Sequence, residues 1–279
     1  MCELFAMSAR RSAAVSFSLE EFSRHGGLSG PHKDGWGIAF YDGHDARIIR
    51  EPIAASSSAY ERFLESEPIL SPIVLSHIRL ATQGAVQLSN TQPFVRELGG
   101  RLHIFAHNGH LDVTGMKEED LGRFRPLGDT DSERAFCHLL ARLEPQWLGE
   151  EGPPSLKRRQ EILESFAEDL RGLGIGNFLY CDGELLFAHS HRRTQADGSI
   201  RPPGLHFLCR TCTDEPGTEV DTEGLKVTSS DSDQKVVLIA SVPLTDESWV
   251  PLGVGETLSV VDGEIVERTE RGIDSEKQE

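Results

Sequence analysis

The sequence lacks long apolar runs and has few basic residues. No stretch of its 279 residues approaches the ~18 consecutive apolar side chains that a membrane-spanning helix needs. It contains 28 Lys and Arg against 45 Asp and Glu, which gives a formal net charge of −17. Nucleic acids and anionic lipid surfaces bind clustered basic side chains, so this charge excludes them as main partners.

The sequence is also poor in cysteine and shows no export signal. Its five cysteines are an odd number in a long chain, which disfavours a framework of disulfide bonds. The first residues are interrupted by Glu3, Arg10 and Arg11 and contain no apolar block of the kind that a signal peptide has. We therefore predict a reduced, cytoplasmic protein.

Motifs that bind phosphate groups or metals are absent as well. Neither G-x-x-x-x-G-K-[ST] nor G-x-G-x-x-G occurs, so no nucleotide cofactor is predicted. His206, Cys209 and Cys212 form an H-x2-C-x2-C pattern, but a structural zinc site needs four ligands. If this segment is a strand, Cys209 faces away from the other two side chains. We predict that the chain binds no metal.

Local signals predict strands at both ends of the chain with helices between them. Capping patterns and apolar periodicity predict helices that begin after Ser18, Ser58 and Thr130, and another that follows a connector over 144–155. Strands are predicted at 2–7, 36–41, 46–50, 73–80, 102–106 and 236–242, and in Asp-Gly hairpins at 177–190 and 257–266. The pattern predicts one layered α+β domain over residues 2–266 and a polar, flexible tail over 267–279.

Cys2 is the first residue with a chemical role. Its side chain is small enough for the initiator Met to be removed, which would make Cys2 the N-terminal residue. Its α-amine, with a pKa of about 7.7–8.0, can then accept the proton of its own thiol, whose ordinary pKa is about 8.5. Taken alone, a cysteine at this place is more often a small buried residue of a strand.

Five ordered segments decide between these interpretations. They are Met1-Cys2-Glu3-Leu4, His32-Lys33-Asp34-Gly35-Trp36-Gly37, Ser76–Thr82 (SHIRLAT), His107-Asn108-Gly109 and Gly128–Glu133 (GDTDSE). In this order they resemble the class II glutamine amidotransferases, which belong to the N-terminal-nucleophile hydrolase superfamily. The resemblance implies a four-layer αββα sandwich, in which two antiparallel sheets lie face to face with helices outside.

The resemblance also implies a role for each matching residue. Cys2 would attack the side-chain amide of glutamine and form a γ-glutamyl thioester. The side-chain amide of Asn108 and the backbone N–H of Gly109 would form the oxyanion hole. Arg79 would bind the α-carboxylate of the substrate, with help from the Thr82 hydroxyl.

Asp131 would bind the α-ammonium group of the same substrate, so that Arg79 and Asp131 clamp the two ends of an amino-acid zwitterion. Both also have purely structural explanations. Arg79 alone would be interpreted as a surface arginine, and Asp131 alone as a carboxylate stabilised by the dipole of the helix that Thr130 caps. Asn108-Gly109 alone would be a turn dipeptide.

Three residues depart from the family pattern. Leu80 stands where an aromatic residue is frequent, and Gln83 and Gln92 stand where histidines are frequent. We expect these differences to alter the wall of the substrate pocket and not the type of reaction.

The sequence therefore predicts a glutaminase-type amide hydrolase that releases ammonia from glutamine through Cys2. The resemblance implies no cofactor. The residues after the last motif are predicted to complete the sandwich, so the ammonia acceptor would be a separate partner protein. Two alternatives remain open: a hydrolase of another γ-glutamyl amide on the same fold, and a non-catalytic regulatory module.

Overall fold

A computed structural model describes residues 2–17, 33–67, 69–81, 84–149, 152–212, 220–222, 225–228 and 233–269. The helix predicted after Ser18 and most of the predicted tail lie outside the described residues. Strands and helices are numbered along the chain within these ranges. None of the helices found there combines the length and apolar character that crossing a bilayer requires.

Two antiparallel sheets make up most of the described structure. The first contains β1 (Glu3–Phe17), β2 (Trp36–Asp42), β3 (Asp45–Glu51), β4 (Leu70–Ile78), β11 (His206–Cys212), β12 (Val220–Thr222), β13 (Leu225–Thr228), β14 (Gln234–Ala240) and β15 (Val250–Pro251). Its order is β15-β11-β14-β1-β4-β2-β3, and the β12–β13 pair joins it at β1. β1 is therefore the central strand, between β14 and β4.

The second sheet carries the other predicted hairpins. It contains β5 (Phe94–Leu98), β6 (Arg101–Leu111), β7 (Gly174–Cys181), β8 (Leu186–His189), β16 (Thr257–Val261) and β17 (Glu264–Thr269), in the order β17-β16-β8-β7-β6-β5. A separate short ribbon pairs β9 (Arg193–Thr194) with β10 (Ile200–Arg201).

Three helices are described: α1 (Ala59–Ser66), α2 (Asp131–Trp147) and α3 (Leu156–Leu173). The hydroxyls of Ser58, Thr130 and Ser155 each accept a hydrogen bond from the N–H of the residue three positions later. The caps predicted at Ser58 and Thr130 are thereby confirmed. The capping box predicted at Thr130 is only half formed, because the Glu133 carboxylate accepts the Gly128 N–H instead of returning to Thr130.

Two predicted boundaries were wrong. Helix α2 continues through Pro145 to Trp147, so the connector begins later than residue 144. Pro145 removes only one hydrogen bond in the last turn, and the buried side chains of Leu143 and Trp147 hold that turn on the core. The final strand extends to Thr269, beyond residue 266, with the exposed and charged side chains typical of an edge strand.

The first strand also differs from its prediction over 2–7, since β1 runs to Phe17. Its pairing with β4 shifts register between Ser8 and Ala13. The polar residues that interrupt the apolar pattern lie at this irregularity, where Arg10 pairs with Asp233 and the backbone of Arg11 bonds to the Gln234 side chain. Polar contacts with residues 233 and 234 therefore stabilise this part of β1, where the apolar alternation is interrupted.

The apolar core shows how the layers are stacked. One cluster combines buried residues of both sheets, among them Leu4, Leu75, Ile104 and Leu179, so the two sheets pack face to face. A second cluster joins the opposite face of the second sheet to α2 and α3. A third covers the outer face of the first sheet and includes Leu64 of α1.

Tyr41 links the two sheets by hydrogen bonds as well as by packing. It belongs to β2, is fully buried, and its hydroxyl lies 2.9 Å from the carbonyl oxygens of Leu102 in β6 and Cys181 in β7.

Tyr41→Phe should lower the free energy of unfolding by about 1–3 kcal/mol, because these two carbonyl oxygens lose the hydroxyl that donates to them. Urea denaturation measures this change. Tyr60→Phe, on the exposed face of α1, is the control, and equal stability of the two variants would contradict the prediction.

Candidate active site

The register of the first sheet determines where Cys2 lies. Glu3 pairs with Ile78 in β4, which places Cys2 beside the residues that follow this strand. The next residue, Leu4, exchanges hydrogen bonds with Ser241: its N–H donates to the Ser241 hydroxyl (3.0 Å) and its carbonyl accepts the Ser241 N–H (3.0 Å). The buried Arg193 donates to the Ser241 carbonyl at 2.7 Å, so the start of β1 is held from both sides.

The Cys2 thiol contacts the backbone of Leu80. The Leu80 N–H donates to the Cys2 sulfur at 3.3 Å, and the sulfur lies 3.5 Å from the Leu80 carbonyl oxygen. Burial raises the pKa of the Cys2 thiol, while the Leu80 N–H and the Arg79 charge partly oppose this rise. A thiol with a raised pKa is protonated at neutral pH, so its use as a nucleophile requires a base.

The Asn108-Gly109 pair is not a turn. Both residues lie within β6, where they pair with Asn177 and Gly176 of β7, and the strand continues to Leu111. A side chain at Gly109 is impossible, because a Cβ atom would lie 1.8 Å from the Ile175 carbonyl oxygen. The predicted strand over 102–106 is therefore longer, and the conformation excludes the structural explanation based on a turn.

The Asn108 side chain reaches across to the other sheet. Its Nδ2 donates to the carbonyl oxygen of Cys2. The backbone carbonyl of Asn108 accepts a hydrogen bond from Nδ2 of Asn177 at 3.0 Å. Asn108 is fully buried, and its Oδ1 has no hydrogen-bond partner among the described residues. The predicted oxyanion residue and the predicted nucleophile are thus in direct contact.

Arg79 follows β4 and is almost fully buried. Its Nη1 donates to the carbonyl of Ala85 (3.0 Å) and, more weakly, to that of Asp34 (3.4 Å), and its Nη2 donates to that of Gly84 (3.2 Å). Its backbone exchanges hydrogen bonds with Asp34 and Gly35, which belong to the Lys33–Gly37 segment of the second predicted motif. These bonds hold the guanidinium beside Cys2 and exclude a solvated surface arginine.

A buried asparagine connects the Arg79 loop to the start of α2. Nδ2 of Asn90 donates to the Ala85 carbonyl (3.0 Å) and to the Asp129 carboxylate (2.5 Å), while its Oδ1 accepts the Asp129 N–H (3.0 Å). Cβ atoms at Gly84 and Gly128 would lie 2.8 Å and 2.0 Å from Asn90 atoms, so both positions need glycine. Sequence reasoning did not identify Asn90.

Asp131 begins α2 in a mostly buried position. Its carboxylate accepts the N–H of Leu111 at 2.8 Å and that of Ser132 at 2.8 Å. The first bond ties α2 to β6 two residues after Gly109. A hydrogen-bonded path therefore runs from Arg79 through the Ala85 carbonyl, Asn90 and the Asp129 segment to Asp131.

Five of the six residues singled out in the sequence are located by these contacts. Cys2 contacts Asn108 and Leu80, the neighbour of Arg79, at the junction of the two sheets, and Gly109 and Asp131 are held at the adjoining end of β6. The sixth, Thr82, lies outside the described residues, as does Gln83.

The H-x2-C-x2-C segment lies on the strand β11. Successive strand residues face opposite sides, so His206 and Cys209 do not share a face. Within the described part of the chain, no group of three or more His, Cys, Asp or Glu side chains has an arrangement that would hold a metal ion.

Comparison with known proteins agrees with this geometry. The family model described as "Glutamine amidotransferases class-II" matches residues 1–279. The chain belongs to the class II glutamine amidotransferase family. The recognition made from the five sequence segments is therefore confirmed.

Relatives in this family are similar along nearly their whole length. YafJ of Escherichia coli, provisionally named a glutamine amidotransferase, is 38% identical over 259 residues, which cover 92% of this chain and 96% of YafJ. A protein of Haemophilus influenzae with a similar provisional name is 35% identical over 271 residues, covering 95% of this chain and 85% of its own length.

Solved structures include one close relative and more distant ones. A crystal structure of a predicted glutamine amidotransferase from Pseudomonas aeruginosa is 34% identical, with a TM-score of 0.69, and covers 95% of this chain and all of that one. The glutamine phosphoribosylpyrophosphate amidotransferase of Bacillus subtilis, at 15% identity and a TM-score of 0.60, shares the fold over 98% of this chain and 50% of its own.

Asn90 offers a test of the path between the two predicted substrate-binding residues. Asn90→Ala should raise KM for glutamine by about tenfold, equivalent to ~1.4 kcal/mol, because the Ala85 carbonyl that accepts from Arg79 loses its link to α2. Steady-state kinetics measures the change. Gln195→Ala is the control, since its side-chain amide also donates two hydrogen bonds, to the carbonyls of Arg201 and Pro203 beside the separate β9–β10 ribbon. An unchanged KM in folded Asn90→Ala would show that the path does not support binding.

Proposed function

We propose that this protein hydrolyses the side-chain amide of glutamine, with Cys2 as the nucleophile and as the N-terminal residue of the mature chain. One observation carries the proposal. The Leu80 N–H donates to the Cys2 thiol, on which the Arg79 charge also acts, and the Asn108 side-chain amide donates to the Cys2 carbonyl. A nucleophile, a cation for the substrate carboxylate and a donor for the oxyanion are thereby brought to one place.

The first half of the reaction follows from these contacts. The Cys2 thiol gives its proton to its own α-amine, and the sulfur attacks the amide carbon of glutamine. The carbonyl oxygen becomes negatively charged and is stabilised by Asn108 Nδ2 and the Gly109 N–H, since Nδ2 carries a second hydrogen besides the one that Cys2 accepts. One such donor lowers the barrier by about 2.7–4 kcal/mol.

The second half restores the enzyme. Collapse of the tetrahedral intermediate breaks the C–N bond, and the ammonium proton passes to the leaving nitrogen, so ammonia departs and a γ-glutamyl thioester remains on Cys2. Water then attacks the thioester carbon and gives a proton to the α-amine. The C–S bond breaks, which releases glutamate and returns the thiol.

Arg79 and Asp131 are proposed to fix the substrate at its other end. A guanidinium is planar and always charged, which suits the α-carboxylate, and a carboxylate suits the α-ammonium group. The Asn90 path supports this assignment because it connects the two residues rigidly. The assignment of Thr82 to the same carboxylate is part of this proposal and rests on the resemblance alone.

The proposal extends to the architecture and to a partner. The face-to-face sheets, with α2 and α3 on one outer face and α1 on the other, support a four-layer sandwich of the N-terminal-nucleophile type. We propose that the ammonia passes to an acceptor protein. This fold covers only 50% of the Bacillus subtilis amidotransferase, so that protein has a further part outside the fold. Such a division supports an ammonia acceptor that is separate from the fold described for this chain.

Cys2→Ala should abolish ammonia release from glutamine, whereas Cys209→Ala should leave the rate within about twofold of wild type. Cys209 is an exposed free cysteine on β11 and is therefore a matched control for loss of a thiol.

Active protein produced without a tag at its N-terminus should begin at Cys2 in an intact-mass measurement, because the α-amine is the proposed base. Full activity of a chain that retains Met1 would contradict this base.

Arg79 and Asn108 should affect different kinetic constants. Arg79→Ala should raise KM for glutamine, because one substrate charge loses its partner, and alkylation of Cys2 by a neutral reagent should continue. Asn108→Ala should lower kcat by about 10²–10³-fold with a small change in KM, since the oxyanion exists only in the transition state. Steady-state kinetics on both variants checks this division. An unchanged KM in Arg79→Ala would remove the main support for the substrate assignment.

A further inference from the structure

The strand that carries Asn108 and Gly109 loses its neighbour just before these residues. β5 pairs with β6 from Leu98 opposite Arg101 to Phe94 opposite Phe105. Continuing this register by two residues places Gln92 opposite His107. Pro93 has no backbone N–H to donate, so a regular ladder stops at Phe94 and leaves the edge of β6 at His107 without a strand.

The Gln92 side chain takes the place of that missing strand. Its Oε1 accepts the His107 N–H at 2.6 Å, and its Nε2 donates to the His107 carbonyl at 3.1 Å. Gln92 and His107 are both buried, so an unpaired His107 backbone would be costly. The sequence predicted only that Gln92 alters the pocket wall; the structure adds that its amide is bonded to the backbone of β6.

Alternation along β6 relates these bonds to the oxyanion residues. In an antiparallel strand, the N–H and C=O of one residue point to the same neighbour, and those of the next residue point to the other. His107 faces Gln92, and the Asn108 carbonyl faces β7, where it accepts Nδ2 of Asn177. The Gly109 N–H consequently points to the edge that Gln92 borders, where the substrate oxygen would need it.

The other side of Gln92 is fixed to the sheet that carries Cys2. The preceding carbonyl, that of Thr91, accepts Nη1 of Arg50 in β3 at 2.9 Å. The Gln92 carbonyl oxygen packs so closely on Gly37 of β2 that a Cβ atom there would lie only 2.3 Å from it. Gln92 therefore contacts the first sheet through its backbone and the second sheet through its side chain.

We propose that Gln92 is a positioning residue for the oxyanion hole: through His107 it sets the place of Asn108 and Gly109 relative to Cys2. This role rests on the proposed glutamine hydrolysis. The Gln92 amide is bonded to the His107 backbone, and we assign it no contact with the substrate. Because it acts on a group that binds only in the transition state, its loss should lower kcat and leave KM for glutamine nearly unchanged.

The structure supplies a closely matched control. Gln234 is as deeply buried, and its amide makes the same pair of bonds to one backbone residue: Oε1 accepts the Arg11 N–H at 3.0 Å, and Nε2 donates to the Arg11 carbonyl at 2.9 Å. Arg11 lies at the register shift of β1, far along the strand from Cys2. Gln234→Ala therefore removes the same pair of hydrogen bonds from a less buried backbone away from the site.

The experiment compares Gln92→Ala and Gln92→Met with Gln234→Ala and wild type. It measures kcat and KM for glutamine, the fraction and rate of Cys2 alkylation by iodoacetamide, and the thermal midpoint. The kcat is calculated per Cys2 that iodoacetamide can alkylate. In the Gln92 variants it should fall by at least about tenfold, and at most by the ~10²–10³-fold cost of one oxyanion donor. Their KM should stay within about twofold and their alkylation rate should match wild type. Gln234→Ala should show a similar fall in thermal midpoint and an unchanged kcat.

Gln92→Met keeps the side-chain length without either hydrogen bond, so it serves if Gln92→Ala does not fold. Equal kcat in the Gln92 and Gln234 variants would overturn the positioning role and leave a structural one. A rise in KM without a fall in kcat would overturn it too. Failure of wild type and Gln234→Ala to release ammonia from glutamine would instead refute the proposed function, and the role of Gln92 with it.

Discussion

The antiparallel pairing of β1 with β4 is the constraint on which the site depends. It places Glu3 opposite Ile78 and thereby brings Cys2 to the residues that follow β4. A shift of this register by one residue would reverse every side chain of β1 between the two faces of the sheet. Since Leu4 and Ala6 pack between the sheets and Phe5 and Met7 pack on the outer face, the core prevents that shift. The position of Cys2, the proposed nucleophile, is thus a consequence of packing.

The second sheet supplies what the first lacks. Burial raises the pKa of the Cys2 thiol, and two of the groups that oppose this rise, the Leu80 N–H and Arg79, come from the same end of the first sheet. The donors that we propose for the oxyanion come from β6, across the sandwich. The chemistry therefore requires the two sheets to keep a fixed separation at this end. Tyr41 at one place and Gln92 at another join them by hydrogen bonds.

Local features were predictable because their causes are local. Ser58 and Thr130 cap helices through bonds to residues three positions away, and Asp262-Gly263 forms a two-residue turn with φ of 49° and 71°, as the dipeptide indicated. The candidate site residues could be chosen from the sequence because five short segments occur as an ordered set. Asn108-Gly109 shows the limit of local reasoning, since the dipeptide typical of a turn lies inside a strand.

The contacts that sequence reasoning missed join residues far apart in the chain. Asn90 bonds to Asp129, 39 positions later, and Gln92 bonds to His107, 15 positions later. Neither has a spacing or composition that predicts its partner, because a buried amide is satisfied by whichever backbone the fold brings to it. The length of β1 was hidden for the same reason: its charged residues at 10 and 11 have partners far along the chain.

The central claim is that Cys2 carries the glutamyl group during glutamine hydrolysis. The most direct test mixes the purified protein with glutamine, quenches the reaction in acid within its first turnovers, and locates any added group by mass spectrometry of the peptides. The account predicts a γ-glutamyl group in thioester linkage on an N-terminal Cys2, removable by hydroxylamine. Steady ammonia release with no adduct on Cys2, or with the adduct on another residue, would contradict it.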